Sequence, residues 1–427
     1  MQEKENPPKH PQLQHYINNL CSENNKERLH SVQNIHLIAK AFGKARTEKE
    51  LIPFLRNYRN DEENIMLSLC DQLRELALFI SEEKPKKVNY VIPWYYIVFS
   101  YEDLSVLEKG VSSLKELLSE KEFIDKSLMV LVVNLYQSGH LKQQISSILL
   151  LCQLVSFVPP NYHQHVKQIL GSYVDHEAIV LRKYLARELR SLLNRREFME
   201  MALRILTKLL EDTQDIVRVC ALESLVVTVY EDKQFFVKNV LQTIFERFND
   251  ENWKLRMVIC QNVDVIIKNT NQYQHGLLLQ KFVGFMQDKD AEVLKLAVKK
   301  IQHMHAHFSE ELVRTKILPK LQLQVQQQLQ SQSRSEIDAF YLQALLCVSH
   351  KLPADFVTAQ VVPLQARLIE KIGARIANTS VLSLQTQFRE TGDPRILQII
   401  RQFLENVSAH RNWVVRFKAP AVLRLLV

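Results

Sequence analysis

A phrase that returns about every 38 residues constrains this chain more than anything else in it. Glu211–Leu225 reads EDTQDIVRVCALESL, Asn249–Asp264 reads NDENWKLRMVICQNVD and Gln287–Ile301 reads QDKDAEVLKLAVKKI. Each opens on an acidic, helix-breaking turn and passes into a segment with apolar residues at helical spacing, as at Leu255, Val258, Ile259 and Val263. Aligning that segment through the chain gives anchors at Glu27, Ile65, Val106, Gln143, Leu181, Val217, Leu255, Val293, Ile337, Ile376 and Val415. Eight residues further along a helix is nearly the same face. That step lands on Ile35, Leu73, Leu114, Leu151, Leu189, Leu225, Val263, Ile301, Leu345, Leu384 and Leu423, every one aliphatic.

Upstream of most anchors lies a first helix with its own apolar stripe and often a proline, as in LIPFL (Leu51–Leu55), YVIPWY (Tyr90–Tyr95), ILPKL (Ile317–Leu321) and VVPL (Val361–Leu364). Proline is tolerated at a helix start or bend, where its missing donor is less costly. Each unit is therefore helix, short acidic turn, helix. One such hairpin cannot bury both apolar faces alone, so neighbours must stack. The expected fold is all-α: a right-handed HEAT-repeat solenoid of about eleven repeats, the last incomplete. Residues 1–12 are expected to be a disordered lead and residues 13–427 a single solenoid. The Gln-rich run Gln322–Arg334 in the widest interval reads as a polar helix extension or a surface loop.

Composition excludes several function classes. The 427 residues contain only 8 Gly, which argues against glycine-rich phosphate loops and strand-and-turn architectures. No GxSxG, Walker loop, HExxH or paired-Cys zinc pattern occurs, so no catalytic residue and no cofactor is expected. His303 and His307 stand one helical turn apart, a spacing that can bind metal, but no third ligand is evident and a polar helix face is the simpler reading. Cys21, Cys70, Cys152, Cys220, Cys260 and Cys347 lack metal-ligand spacing and read as reduced core thiols, which fits a cytoplasmic or nuclear protein. No apolar run is long enough to span a membrane. The net charge of +8 arises from 55 basic and 47 acidic residues that are interspersed, and no Lys/Arg block marks a nucleic-acid stripe.

Three stretches carry a family resemblance. RLHSVQNIHLIAKAFGKARTEKELIPFL (Arg28–Leu55), NDEENIMLSLCDQL (Asn60–Leu73) and ENWKLRMV (Glu251–Val258) resemble the scaffolding A subunit of protein phosphatase type 2A, a HEAT-repeat family. Members of that family have fifteen repeats and hold two other proteins. The turns of the first eight or so contact a regulatory B-type subunit, and repeats eleven to fifteen grip the catalytic subunit. The resemblance therefore implies a non-enzymatic scaffold.

Carried over by position, the regulatory-subunit contacts would be Asp61, Glu62, Glu102, Asp103, Glu177, Asp212, Asp215, Asp250 and Trp253. Helix capping by Asp and Asn explains an acidic turn equally well, and one residue can do both. Arg182, Arg218, Arg256 and Arg416 would form an internal ladder between repeats, interrupted at Leu107 and Leu294. His140–Leu141 and Ile179 depart from the family's fourth and fifth turns, which carry Trp and Pro. Trp94 reads as core. Trp413 and Arg416 match the edge of the catalytic-subunit surface, of which this sequence holds only that edge, with Phe417, Leu423, Leu425, Leu426 and Val427 left as an uncovered apolar end that should promote self-association. Two other readings stay open: a shortened scaffold that binds regulatory subunits only, and a HEAT adaptor for nuclear transport or nucleic acid.

Overall fold

The computed structural model of the chain describes residues 11–55, 61–81, 92–101, 103–120, 126–330, 336–349, 351–361, 363–365, 367–368 and 401. The fold is an all-α solenoid, helical throughout with no strand among these residues. It divides into two compact units, residues 1–224 and 225–427. In the first unit the chain runs through α1 (Pro11–Asn19), α2 (Asn25–Gln33), α3 (Ile35–Arg46), α4 (Glu63–Ser81), α5 (Leu104–Glu120), α6 (Lys126–Gln137), α7 (Leu141–Gln153), α8 (His163–Ser172), α9 (Ile179–Glu188), α10 (Arg196–Leu209) and into α11 (Asp215–Val227). The second contains α12 (Lys233–Asn239), α13 (Leu241–Arg247), α14 (Trp253–Gln261), α15 (Val263–Lys268), α16 (Gln272–Gly284), α17 (Ala291–Met304), α18 (Leu318–Gln330) and α19 (Glu336–Ser349). Second helices of neighbouring repeats pack on one another: α2 on α4, α4 on α5 and α7 on α9 in the first unit, α14 on α17 and α17 on α19 in the second.

The period in the sequence is the period of the core. All nine described positions of the eight-residue step, from Ile35 to Leu345, are completely buried. Of the anchors themselves, Ile65, Val106, Leu181, Val217, Leu255 and Val293 are also completely buried. Glu27 is exposed and Ile337 half-buried, because in the first and ninth repeats the inward position falls elsewhere in the turn of helix. Trp94 is buried at 6% exposure. Anchors Ile376 and Val415, with Leu384 and Leu423, lie outside the described residues, as does the apolar end Phe417–Val427.

Local sequence sets where the helices break. In the first and seventh repeats the second helix bends at an asparagine, Asn34 (φ −109°) and Asn262 (φ −108°), one residue before the deepest core position. Their side-chain amides donate back to the carbonyls of His30 at 2.7 Å and Val258 at 2.9 Å, competing with the helix's own bonds. Gly43 takes a positive φ of 76°, which favours glycine, and turns the chain from the first repeat into the second. Three of the four first-helix prolines share one surrounding, and the fourth, Pro93, lies in a 3-10 turn, Ile92–Tyr95. Wide π-helical turns at Thr47–Leu51, Val313–Ile317 and Val357–Val361 each end two residues before Pro53, Pro319 or Pro363. A wider turn keeps the proline ring off the preceding carbonyl and leaves fewer bonds unmade.

The Gln-rich run continues as helix to Gln330, with Leu321 and Val325 buried beneath it, and residues 331–335 lie outside the described set. First-repeat helix α1 begins at Pro11, and residues 1–10 lie outside the described set. Cys70, Cys152, Cys220, Cys260 and Cys347 are buried and Cys21 is exposed. Burial pushes the Cys70 and Cys347 thiols up to about 12. No helix of the described residues is long and apolar enough to cross a membrane.

Candidate functional site

The turn inside each repeat is where the sequence concentrates charge, and the structure divides those charges between two tasks. One arginine geometry recurs. Arg256 donates from Nε to Asp288 Oδ2 at 2.7 Å and from Nη2 to Asp288 Oδ1 at 2.6 Å, while Nη1 reaches back six residues to the Asp250 carbonyl at 2.6 Å. Arg182 does the same with Asp212, at 2.6 and 3.1 Å, and with the His176 carbonyl at 2.6 Å. Arg28, one residue past the first anchor, repeats it with Asp61, at 3.1 and 2.7 Å, and with the Ser22 carbonyl at 2.6 Å. The planar guanidinium thus closes its own turn and forks onto the first aspartate of the next turn. Arg218 closes its own turn through the Asp212 carbonyl at 2.9 Å and pairs with Asp215.

Asp61, Asp212 and Asp288 are consequently internal rungs, with side chains 11%, 7% and 6% exposed. Burial pushes the Asp212 and Asp288 carboxyls up, but the facing guanidinium and the amide two residues on outweigh it and hold both below the ordinary carboxylate value. The same acids shape the turn: Asp212, Asp250 and Asp288 each accept from the amide two residues on, at 2.8, 2.9 and 2.8 Å. The third turn residue then caps the helix, as Asn252 does for Lys254 and Asp290 for Glu292 and Val293.

Where arginine is missing, other bonds join the turns. Tyr101 donates to the Asp61 carbonyl at 2.8 Å, and Ser105 donates to Glu63 at 2.6 Å. Beside Leu107, which is buried, Gln143 of the next repeat donates to Ser100 Oγ at 2.9 Å. Tyr173 meets Ser147 Oγ at 2.8 Å. The turns of repeats one to six therefore lie side by side in the first unit. In the second unit Arg256 joins those of repeats seven and eight, and Leu294 follows at half-buried depth.

The remaining turn charges face solvent. Glu62, Asp103, Glu177 and Asp215 are exposed, and Glu62 also accepts from Asn25. Asp103 caps α5 by accepting from the Ser105 amide at 2.8 Å, and the Ser105 side chain, with that amide bond, holds its carboxyl below the ordinary range. Asp250 is half-buried beside Arg247 at 3.5 Å. Among them runs an apolar row that periodicity alone did not single out: Leu141, Ile179 and Ile216, at the first turn of α7, α9 and α11, are 45%, 42% and 47% exposed. Trp253 holds the corresponding place in α14 at 37% exposure. The signal lay in the spacing, since these residues also recur at about 37 or 38 residues, but one or two places before the core anchor. Glu102, Trp413 and Arg416 lie outside the described residues.

His303 lies in the last turn of α17 and His307 sits on the following tight turn, where its ring meets His275 edge-on with centroids 6.3 Å apart. Among the described residues no group of three or more His, Cys, Asp or Glu side chains is placed to hold a metal ion.

No family model matches the chain. It is 33% identical over 114 residues to the 65 kDa regulatory subunit of serine/threonine-protein phosphatase PP2A from Drosophila melanogaster, covering 27% of this chain and 19% of that protein. It is 24% identical over 243 residues to the A-type regulatory subunit of protein phosphatase PP2A from Schizosaccharomyces pombe, covering 55% and 41%. The scaffold subunit of protein phosphatase 2A from Dictyostelium discoideum is 28% identical over 157 residues, covering 36% and 26%. The chain thus spans less than half the length of these relatives. Among solved structures, the karyopherin Kap121p bound to Pho4p superposes with TM-score 0.58 at 13% identity, covering 99% of this chain and 46% of that one. The Kap95:Nup1 complex gives 0.54 at 13%, covering 98% and 59%. At such identity the likeness to the karyopherins shows the solenoid fold alone.

Proposed function

We propose that this HEAT-repeat chain, similar in sequence to the scaffolding A subunits of protein phosphatase 2A, is itself a non-enzymatic scaffold whose turns hold a regulatory B-type subunit. The observation that carries the reading is the division of labour in the turns. Arg28, Arg182 and Arg256 bind one acid of each pair of turns inward, fixing the backbone. The exposed Glu62, Asp103, Glu177 and Asp215 and the apolar row Leu141, Ile179 and Ile216 remain on the outer surface of the first unit. An apolar strip inside an acidic border suits a partner with apolar anchors framed by Lys and Arg, and rigid turns lower the entropy cost of docking. Asp61 and Asp212 belong to the platform's framework in this reading, and the contact falls on their exposed neighbours. Holding the catalytic subunit close enough for the regulatory subunit to select its substrates is the further part of the proposal, with Trp413 and Arg416 as the contact on this chain.

The test is retention of a purified B-type subunit on the immobilised chain. The double substitution Glu177→Lys, Ile179→Asp should reduce retention at least tenfold while leaving the helical circular dichroism unchanged. Equal retention by the wild type and the variant, or none by the wild type, would overturn the assignment. Retention of the catalytic subunit on the same resin, with and without the regulatory subunit, tests the wider scaffold role.

A further inference from the structure

A stack of hairpins normally joins each repeat only to the next. One ion pair breaks that pattern. Arg187 Nη2, near the end of α9 in the fifth repeat, lies 3.0 Å from Glu108 Oε1, in the first turns of α5 in the third repeat, and the bond passes over α7 of the fourth. Packed helices sit about 8–10 Å apart, so α5 and α9 are about 16–20 Å apart across α7, a span that only long side chains close. A small splay of α5 from α9 breaks the contact.

Arg187 is held in place before it reaches Glu108. Its Nε donates to Glu188 Oε1 at 2.7 Å, and its guanidinium lies over the Tyr184 ring, 4.8 Å from the centroid. Glu188 is buried at 9% exposure and its second oxygen accepts from Gln153 Nε2 of α7 at 3.0 Å. Glu108, Gln153, Glu188 and Arg187 therefore form one network through three consecutive repeats, and a network holds an exposed pair better than an isolated contact does.

We infer that the Glu108–Arg187 pair is a strap across the fourth repeat that fixes the splay of α5 and α9, making both side chains positioning residues for the turns of the third and fifth repeats. Those turns carry Asp103, Glu177 and Ile179, so the strap sets the spacing that a docked protein meets. That last consequence rests on the docking reading above, whereas the strap does not. Glu108 and Arg187 are 48% and 41% exposed, so salt reaches the pair and screens it.

The experiment measures a distance and needs no partner. In a Cys21→Ser background, spin labels are placed on the full chain at Lys115→Cys of α5 and Arg190→Cys just beyond α9, both exposed positions. Distance distributions are recorded by pulsed electron resonance at low and at 1 M salt. Glu108→Arg, which leaves the contacts among Arg187, Glu188 and Gln153 in place, should lengthen and broaden the distribution by several ångströms at low salt. Neutral Glu108→Gln, which keeps the side chain's size, should give the same lengthening as 1 M salt gives the unsubstituted pair. Unchanged distances in Glu108→Arg and Glu108→Gln would overturn the strap. A wild type that retains no regulatory subunit would remove the docking reading and leave these distances as expected.

Discussion

At the scale of single residues, the arginine forks are where sequence patterning and chemistry meet. Arg256 serves Asp288 twice and its own turn twice, through the Asp250 and Glu251 carbonyls, and the Arg256 and Asp288 side chains are almost closed off from water. Arg256→Ala leaves the Asp288 carboxylate buried without its cation, and should lower stability by about 3–5 kcal/mol in denaturant titration. Arg256→Lys should recover only part, because an ammonium cannot make the planar fork. Acid acts on the same rungs. Asp212 and Asp288 ionise below the ordinary value of 3.8 in the folded chain, so on acidification the unfolded chain takes up its protons first. Their contribution is complete above that value and is lost as pH falls below it, and melts followed from pH 5 to pH 2 should show the loss reduced in Arg182→Ala and Arg256→Ala. The ladder was partly legible in the sequence. Arg182, Arg218 and Arg256 stand at one place in the repeat, and Arg28 stands there too. Which acid each would face was not legible, since Asp212 and Asp215 look alike in sequence and only the stacking of the next turn decides that one is buried and the other open.

At the scale of elements, the second helices owe their position to close approach. Gly110 on α5 lies against the Tyr96–Phe99 helix, where an added methyl would fall 2.5 Å from Val98 Cγ1 and 3.3 Å from the Phe99 ring. Gly110→Ala should therefore destabilise by about 1–3 kcal/mol despite alanine's better helix propensity, and a thermal melt would show the sign at once. The caps act more weakly. Asn252 accepts from the Lys254 amide at 2.9 Å at the start of α14, and Asn252→Ala should cost about 1 kcal/mol without disturbing Arg256. Helix spacing and core face were readable because burial obeys a fixed period. The π-turns before Pro53, Pro319 and Pro363 were not, since a proline in an apolar run signals a bend without saying how the helix absorbs it.

For the whole molecule, nearest-neighbour stacking means that damage stays local. Arg182→Ala should speed amide exchange in the turns of repeats five and six and leave repeats seven and eight as protected as before, which exchange followed by mass spectrometry can resolve. Spread of the effect through the chain would mean a cooperative core instead of an array. The solenoid itself was legible from the 38-residue recurrence, down to the nine buried positions of the eight-residue step. The Glu108–Arg187 bridge was not, because its partners are 79 residues apart and nothing local marks either one.

Cysteine placement gives the array its own clock. Cys70, Cys152, Cys220, Cys260 and Cys347 are enclosed, each in a different repeat, and burial raises every one of their thiols above its ordinary value, whereas Cys21 stands open. An alkylating reagent should modify Cys21 first and then wait for each repeat to breathe. The order in which the other sulfurs react would record, site by site, the sequence in which the stack comes apart.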